Sequence, residues 1–443
     1  MSKTAMSHQH HMPIPWLDLT TSQKEVPVIE SDLQVKSSII GRVGIILLSC
    51  GTGAWRVRDS MNQISRTLGV SCTSDVGLTS IQYTCIEKGS SFTQVLSLPT
   101  TGVNTDKLNA MEHFVRRFVK NGSKRSMQEI HQELDTIEQK PGNYPPLVAG
   151  LAAGLACCAF VFLLGGGPVE MLYCFLGAGL GNFVRRKMLD HHLTVLFCVA
   201  VGVLVACLTY LGLVRFFESF SGLSASHEAG YIGAMLFVIP GFPFITSGLD
   251  IAKVDMRSGL ERLAHALTII LVATLVGWVS AAAFKLAPHD FVPLNLSSLS
   301  LLLLRIPASF CGVFGFSMMF NSPEKMAATA GLVGAAANTL RLELVDLAHM
   351  PAGPAAFCGA LTAGLLASFI YKKMEYPRIA LTVPAIVIMV PGLYMYRAMY
   401  NMGIASIGVG ALWLTKAALI VLFLPLGLML ARIITDKKWR YCN

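Results

Sequence analysis

From Leu147 to Ile434 the chain runs through ten apolar stretches, separated by short clusters of charge or by proline and glycine. A run of about 20 apolar residues can satisfy its backbone amides in lipid as a helix, so this succession restricts the fold to a bundle of membrane helices. The spacing predicts spans over Leu147 to Leu164, Met171 to Val184, Leu193 to Leu213, Ile232 to Ile251 and Leu263 to Phe284. A second set follows over Leu299 to Phe320, Met326 to Leu342, Ala355 to Ile370, Ile379 to Tyr400 and Ile407 to Ile434. A mean hydropathy of +0.57 with only 14% charged residues is too apolar for an ordinary soluble protein.

Two of these runs are broken. Pro240, Gly241 and Pro243 interrupt the fourth, and Pro391 and Gly392 interrupt the ninth, each after four or five aliphatic residues. Further matches accompany the breaks: Pro168-Val-Glu170-Met171 with Pro323-Glu324-Lys-Met326, and Gly181-Asn182-Phe-Val-Arg185 with Ala337-Asn338-Thr-Leu-Arg341. All recur in the same order at a separation of 151 to 156 residues. Five spans per copy is an odd number, so the second copy enters the membrane from the opposite side. The fold class predicted is an α-helical polytopic membrane protein whose ten helices form a 5+5 inverted repeat, residues 147–285 and 299–434.

Charge sets the orientation. Arg185-Arg-Lys187, then Lys253, Arg257 and Arg262, then Lys325, then Lys372, Lys373 and Arg378 lie in alternate loops, and Lys437, Lys438 and Arg440 lie in a tail over 435–443. The other side holds little more than Arg215, Lys285, Arg341 and Arg397. The bias places both termini in the cytoplasm and accounts for the net charge of +9 without nucleic acid, since no basic stripe interleaved with aromatics occurs.

Charged residues are common before Asn143, which predicts a separate α+β domain over 37–143. Residues 1–36 are polar and read as a disordered tail, with His8, His10 and His11 taken as tail rather than a metal site. The first thirty residues hold no apolar core of signal-peptide length, so the domain is expected to stay where it is made. Ile39, Ile40, Val43, Ile46 and Leu47 predict one helix; Val57, Met61, Ile64 and Leu68 predict a second, with Gly51-Thr52-Gly53 at the corner. Thr79 to Cys85 and Phe92 to Leu98 read as a strand pair, and two amphipathic helices follow, the latter opened by a Ser126/Glu129 capping box. The Gly51-Thr52-Gly53 turn has free amides for an anion, but lacks the third glycine of a dinucleotide fingerprint and the Gly-Lys-Ser/Thr of a phosphate loop. With no Cys-x-x-Cys spacing among eleven cysteines, disulfides and structural zinc are not expected.

Together the Gly51-Thr-Gly-Ala-Trp-Arg56-Val-Arg-Asp59 motif, the strand pair, the Ala337 to Arg341 segment, the Pro354-Ala-Ala-Phe357 opening and the run from Pro377 to Gly392 resemble the bacterial threonine/serine exporter family. The resemblance covers nearly everything after residue 36. It implies a cytoplasmic domain ahead of about ten spans in the bacterial inner membrane, and outward transport driven by the proton gradient. It also marks Gly51, Gly53, Arg56 and Asp59 as a motif. Family members commonly carry Val-Glu after the motif arginine, where this chain has Val57-Arg58. Related proteins split into two subunits are linked to export of dicarboxylates such as succinate.

A carrier of zwitterions needs partners for a carboxylate and an ammonium, and a group that takes the coupling proton. Half-helix ends at Pro240, Gly241, Pro243, Pro391 and Gly392 supply free amides and carbonyls, and Asn338 with Arg341 supplies a fork for a carboxylate. Asp250, with Glu170 or Glu324, is the expected proton carrier. Asn182, Arg185, Glu343, Asp346 and Arg397 are expected as symmetry mates or gates, with Glu343 and Asp346 read as a local ion pair to Arg341. No catalytic residue, metal or cofactor is expected: His-Glu-x-x-His, Gly-x-Ser-x-Gly and a phosphate loop are all missing. The partners are lipid, a small-molecule substrate and protons, and a homo-oligomer is compatible. A membrane-anchored ligand-sensing regulator is the alternative from another class.

Overall fold

The computed structural model describes residues 14–16, 26–221, 230–286, 291 and 294–441. His8, His10 and His11 lie outside them. The chain divides into two compact units, Met1–Pro141 with Asp250–Arg262, and Gly142–Leu249 with Leu263–Asn443.

The first unit is α+β. Its central helix, α1 (Leu33–Ser49), starts four residues before the expected Ser37. It is buried on nearly every side, polar residues Lys36, Ser37, Ser38 and Arg42 included, and Ile39, Ile40, Val43 and Leu47 have no exposure at all. Helix α2 (Ala54–Thr67) buries the predicted stripe of Val57, Met61 and Ile64. Strands β1 (Ser71–Val76), β2 (Ser80–Glu87) and β3 (Ser90–Ser97) form an antiparallel meander in that order. The last two are the predicted pair. β1 escaped prediction because Ser-Cys-Thr-Ser-Asp-Val buries only Val76, so no apolar alternation marks it. Helices α3 (Thr105–Asn121) and α4 (Met127–Glu138) follow, capped by Asn104 and by the predicted Ser126/Glu129 box.

Charges are sunk into this core with partners: Lys36 of α1 pairs with Glu87 at 2.7 Å. Arg42 of α1, 2% exposed, is held by Asp135 and by Glu138 (2.8 Å) of α4, and its guanidinium lies 5.7 Å from the Trp16 ring centre. Arg42 also donates to His131 Nδ1 at 3.0 Å. Since arginine only donates, Nδ1 is the acceptor, and Nε2 carries the proton toward Ser38 Oγ at 3.3 Å.

The second unit is helical: α5 (Pro146–Leu163), α6 (Pro168–Asp190), α7 (Val195–Ser221), α8 (Tyr231–Val238), α9 (Gly241–Ala252), α10 (Met256–Ala283), α11 (Ser298–Met319), α12 (Glu324–Asp346), α13 (Ala352–Met374), α14 (Arg378–Val387), α15 (Gly392–Gly403) and α16 (Ile407–Thr435). Among the described residues six helices (α5, α7, α10, α11, α13 and α16) are long and apolar enough to cross a membrane. The pairs α8/α9 and α14/α15 bend by 54° and 49° at their breaks, and bring the number to eight if each pair crosses once. Each predicted run is thus helical, but α6 and α12 are not among the helices apolar enough to cross; both end in the charged segments 185–190 and 341–346. Leu267, Leu271, Leu275 and Val279 form an exposed stripe along α10 at four-residue intervals, as a lipid-facing side does.

The breaks differ in detail from expectation. Ile239 turns to an extended conformation ahead of Pro240, which ends α8. Pro243 does not belong to the break: it sits in the first turn of α9, where its missing N–H costs no helical bond.

Candidate functional site

The two sets of residues expected to bind substrate in the second copy come together. A cavity of about 60 Å³ is lined by Asn338 and Arg341 of α12, by Ile388 to Tyr394 across the α14/α15 break, by Phe160 and Leu164 at the end of α5, and by Ile420 of α16. At about 10–15 Å³ per water this holds a few waters. Pro391 and Gly392 are on its wall, and the first-turn amides of α15 follow them; such amides lack intrahelical partners.

Arg341 donates to Asn338 Oδ1 at 3.2 Å, and Asn338 Nδ2 donates to Ser309 Oγ of α11 at 2.9 Å. Arg341 Nε is shut off from solvent without a partner. The expected ion pair of Arg341 with Glu343 and Asp346 does not form. Arg305 of α11 takes both acids instead, Glu343 at 2.7 Å and Asp346 by a second short bond. Helix geometry explains the correction: residues two apart point to opposite sides, whereas Glu343 and Asp346, three apart, share a face toward α11. The result is a half-buried guanidinium on a cavity whose lining holds no acid.

The residues matched to these in the sequence, Asn182 and Arg185, are bonded in a similar way. Arg185 donates to Asn182 Oδ1 at 3.3 Å, Asn182 Nδ2 donates to Ala149 O of α5 at 2.8 Å, and Arg185 Nε has no partner. A Cβ placed on Gly202 of α7 or on Gly359 of α13 would lie 3.1 Å from Arg185 Cβ or Arg341 Cβ respectively. The two breaks touch each other. A Cβ on Gly392 would overlap Ile239, and one on Gly241 would come within 2.9 Å of Val387, so each glycine admits an aliphatic side chain from the opposite broken pair. Tyr231 of α8 and Tyr396 of α15 join the pairs again through hydroxyls 2.6 Å apart. Neither tyrosine, nor Ser309, nor Arg305 as the partner of the α12 acids, stood out in the sequence. Arg305 shows in the sequence as a charge inside the sixth apolar run, costly in lipid, but without a partner named for it.

None of the expected proton carriers lines the cavity. Asp250, 2% exposed, belongs to the first unit, where its Oδ2 accepts from the Ala54 amide at 3.1 Å and from Ser258 Oγ at 2.9 Å, with Arg262 Nε at 3.4 Å. Arg262 donates in turn to the carbonyls of Gly51 (3.2 Å) and Thr52 (2.8 Å). The anion that the Gly51-Thr52-Gly53 turn was read as able to hold is therefore a carboxylate of the chain itself, at the positive end of α2. Gly53 is required there, because a Cβ would lie 2.5 Å from Asp250 Oδ1. Of the other motif residues, Arg56 bonds Glu112, and Asp59 accepts from Gln63 at 2.9 Å. Arg58, standing where an acid is common, pairs with Asp255 at 2.5 Å. Glu170 is buried and accepts from the Gly167 amide at 3.0 Å, closing the start of α6, whereas Glu324 is exposed. Arg397 stacks 4.9 Å over Trp413, whose ring centre is 5.1 Å from that of the cavity-lining Tyr394. Among the described residues no group of three metal-ligating side chains occurs.

Residues 38–285 match the ThrE family model of threonine/serine exporters, and residues 305–434 match a second model, Threonine/Serine exporter, ThrE. The chain belongs to the threonine/serine exporter family. A "Probable threonine/serine exporter" of Mycobacterium tuberculosis is 24% identical over 418 residues, which are 89% of this chain and 75% of that protein. A "Probable succinate transporter subunit YjjP" of Escherichia coli K12 is 26% identical over 241 residues, 54% of this chain and 90% of the relative. No solved structure matches the chain. Membership makes this exporter a multi-pass protein of the bacterial inner membrane that handles a small-molecule substrate.

Proposed function

We propose that this exporter moves threonine and serine out of the cytoplasm, driven by the proton gradient, through a ten-span 5+5 inverted repeat with both termini inside. The observation that carries the substrate class is Arg341: a guanidinium on a cavity at a helix break, bonded to Asn338 and to no acid. Such a group attracts a carboxylate, and the fork geometry takes it bidentately. The break residues Ile388 to Val390 and Tyr394 also line the cavity, and their carbonyls and hydroxyl suit an ammonium and a hydroxyl. A space of about 60 Å³ is too small for an amino acid, so the cavity has to widen during transport.

The matched Asn-x-x-Arg bonds, the matched glycines beside each arginine and the two breaks that receive each other's side chains support the repeat. They also suit an exchange in which Arg185 and Arg341 face substrate in opposite states. Proton coupling is assigned to Asp250 and Glu170, the buried carboxyls of the three considered. Glu324, exposed at the start of α12, serves as an interfacial anchor.

Export of a dicarboxylate is the second reading, favoured by the similarity to the E. coli protein. Among the described residues Arg341 is the one cation in the cavity lining, which suits one carboxylate better than two. Proteoliposomes loaded with threonine, serine and succinate decide between them. Under an imposed proton gradient the first two should leave and succinate should stay; succinate leaving alone would reverse the assignment.

A further inference from the structure

We propose that Cys72 and Cys85 form an oxidisable dithiol, a modification site in the first unit that a low-molecular-weight disulfide converts to a cross-strand disulfide. The two residues are direct partners in the β1/β2 ladder. Gly77 N donates to Ser80 O at 2.8 Å at the hairpin end, which makes 77 and 80 a hydrogen-bonded pair. Counting back along the antiparallel ladder, hydrogen-bonded and non-hydrogen-bonded pairs alternate. The pairs 75/82, 73/84 and 71/86 are then hydrogen-bonded, and 76/81, 74/83 and 72/85 are not. A non-hydrogen-bonded pair brings its Cα atoms to about 4.5 Å, inside the roughly 4.4–6.8 Å that a disulfide spans.

Side-chain direction agrees with the register. Cys72 shares a face with Val76 and Cys85 shares one with Tyr83 and Ile81, so both side chains lie on the covered side of the sheet, directly opposite each other. β1 is an edge strand, and Cys72 is half-exposed there while Cys85 is buried, so a small reagent reaches the pair from the edge. The Cys72 side chain opposite holds the Cys85 thiol below its ordinary value, so Cys85 is the sulfur of the pair that ionises first.

The reaction balances with glutathione disulfide as oxidant. One cysteine sulfur attacks the reagent and releases one glutathione thiol, leaving a mixed disulfide. The second cysteine displaces the remaining glutathione as its thiol, so two protein thiols are oxidised, one reagent disulfide is reduced, and the Sγ–Sγ bond forms.

The test uses the full-length purified protein titrated with glutathione disulfide, alkylated and mapped by mass spectrometry. The result expected is the loss of two alkylatable thiols per chain, recovered as one peptide cross-linked between positions 72 and 85 and reversed by dithiothreitol. Cys85→Ser should instead retain one glutathione at Cys72. Both thiols staying alkylatable at reagent levels that oxidise free dithiothreitol would overturn the proposal, as would cross-links spread evenly over the other cysteines. The wild-type cross-link decides the matter by itself, whether or not the variant folds.

Discussion

Arg341 donates to Asn338 Oδ1 at 3.2 Å, three residues back on the same helix. That bond fixes the guanidinium against α12 while its outer edge stays on the cavity, because the nearby acids Glu343 and Asp346 are turned toward Arg305. Asn338 is itself positioned by Ser309. The charge proposed to meet the substrate is thus held by uncharged partners, and among the described residues no carboxylate pairs with it.

Removing the middle of that chain should loosen the site without removing its charge. Asn338→Ala leaves Ser309 and Arg341 unpaired in a buried position, at a cost of about 1–3 kcal/mol per group. Thermal unfolding in detergent should fall by several degrees, and the KM for substrate should rise. Asn338→Asp should tighten Arg341 into an ion pair and block carboxylate binding while leaving the unfolding temperature near that of wild type.

The contact between the breaks is steric. Gly392→Ala would drive a methyl into Ile239, a strain of about 1–3 kcal/mol that the packing around both breaks has to absorb. Turnover in proteoliposomes should drop, and the second substitution Ile239→Ala should restore part of it. If the double variant is no faster than the single one, the contact does not limit transport.

Asp250 has a structural role and a proposed one, and the two can be separated. Asp250→Asn removes the charge facing buried Arg262, and breaking a buried pair from one side costs about 3–5 kcal/mol. Gly53→Ala disturbs the same contact sterically and keeps the carboxylate. Both should lower thermal stability. If Asp250 also carries the proton, only Asp250→Asn should uncouple export from the imposed gradient.

His131 gives the first unit a pH dependence. Burial, with the Arg42 guanidinium beside it, pushes its imidazole down to about 4 from an ordinary 6.5. Between those values the unfolded chain binds a proton that the folded chain refuses. The stability is fully present above pH 6.5 and is lost as the pH falls toward 4, by up to about 3 kcal/mol. Unfolding of His131→Gln measured from pH 7 to pH 4 should show a flatter profile than wild type.

What the sequence made legible was local and periodic. Pro240, Gly241, Pro391 and Gly392 announce breaks because they change the backbone they occupy, and the two Asn-x-x-Arg pairs announce themselves by recurring. Partners at long range carried no such mark. Nothing near Asp250 indicates that its hydrogen-bond donor is the Ala54 amide, 196 residues away, and nothing near Glu343 points to Arg305. β1 was missed because five of its six residues remain at least partly exposed, so its register with β2 had no apolar pattern to report it.

The most direct measurement is the affinity of the reconstituted exporter for threonine and for threonine amide, in wild type and in Arg341→Gln. Wild type should bind threonine more than about tenfold tighter than the amide, as loss of a charge-assisted bond worth about 1.5–3 kcal/mol requires. Arg341→Gln should bind the two alike. An undiminished preference for the carboxylate in Arg341→Gln would contradict the assignment of Arg341 as the group that holds it.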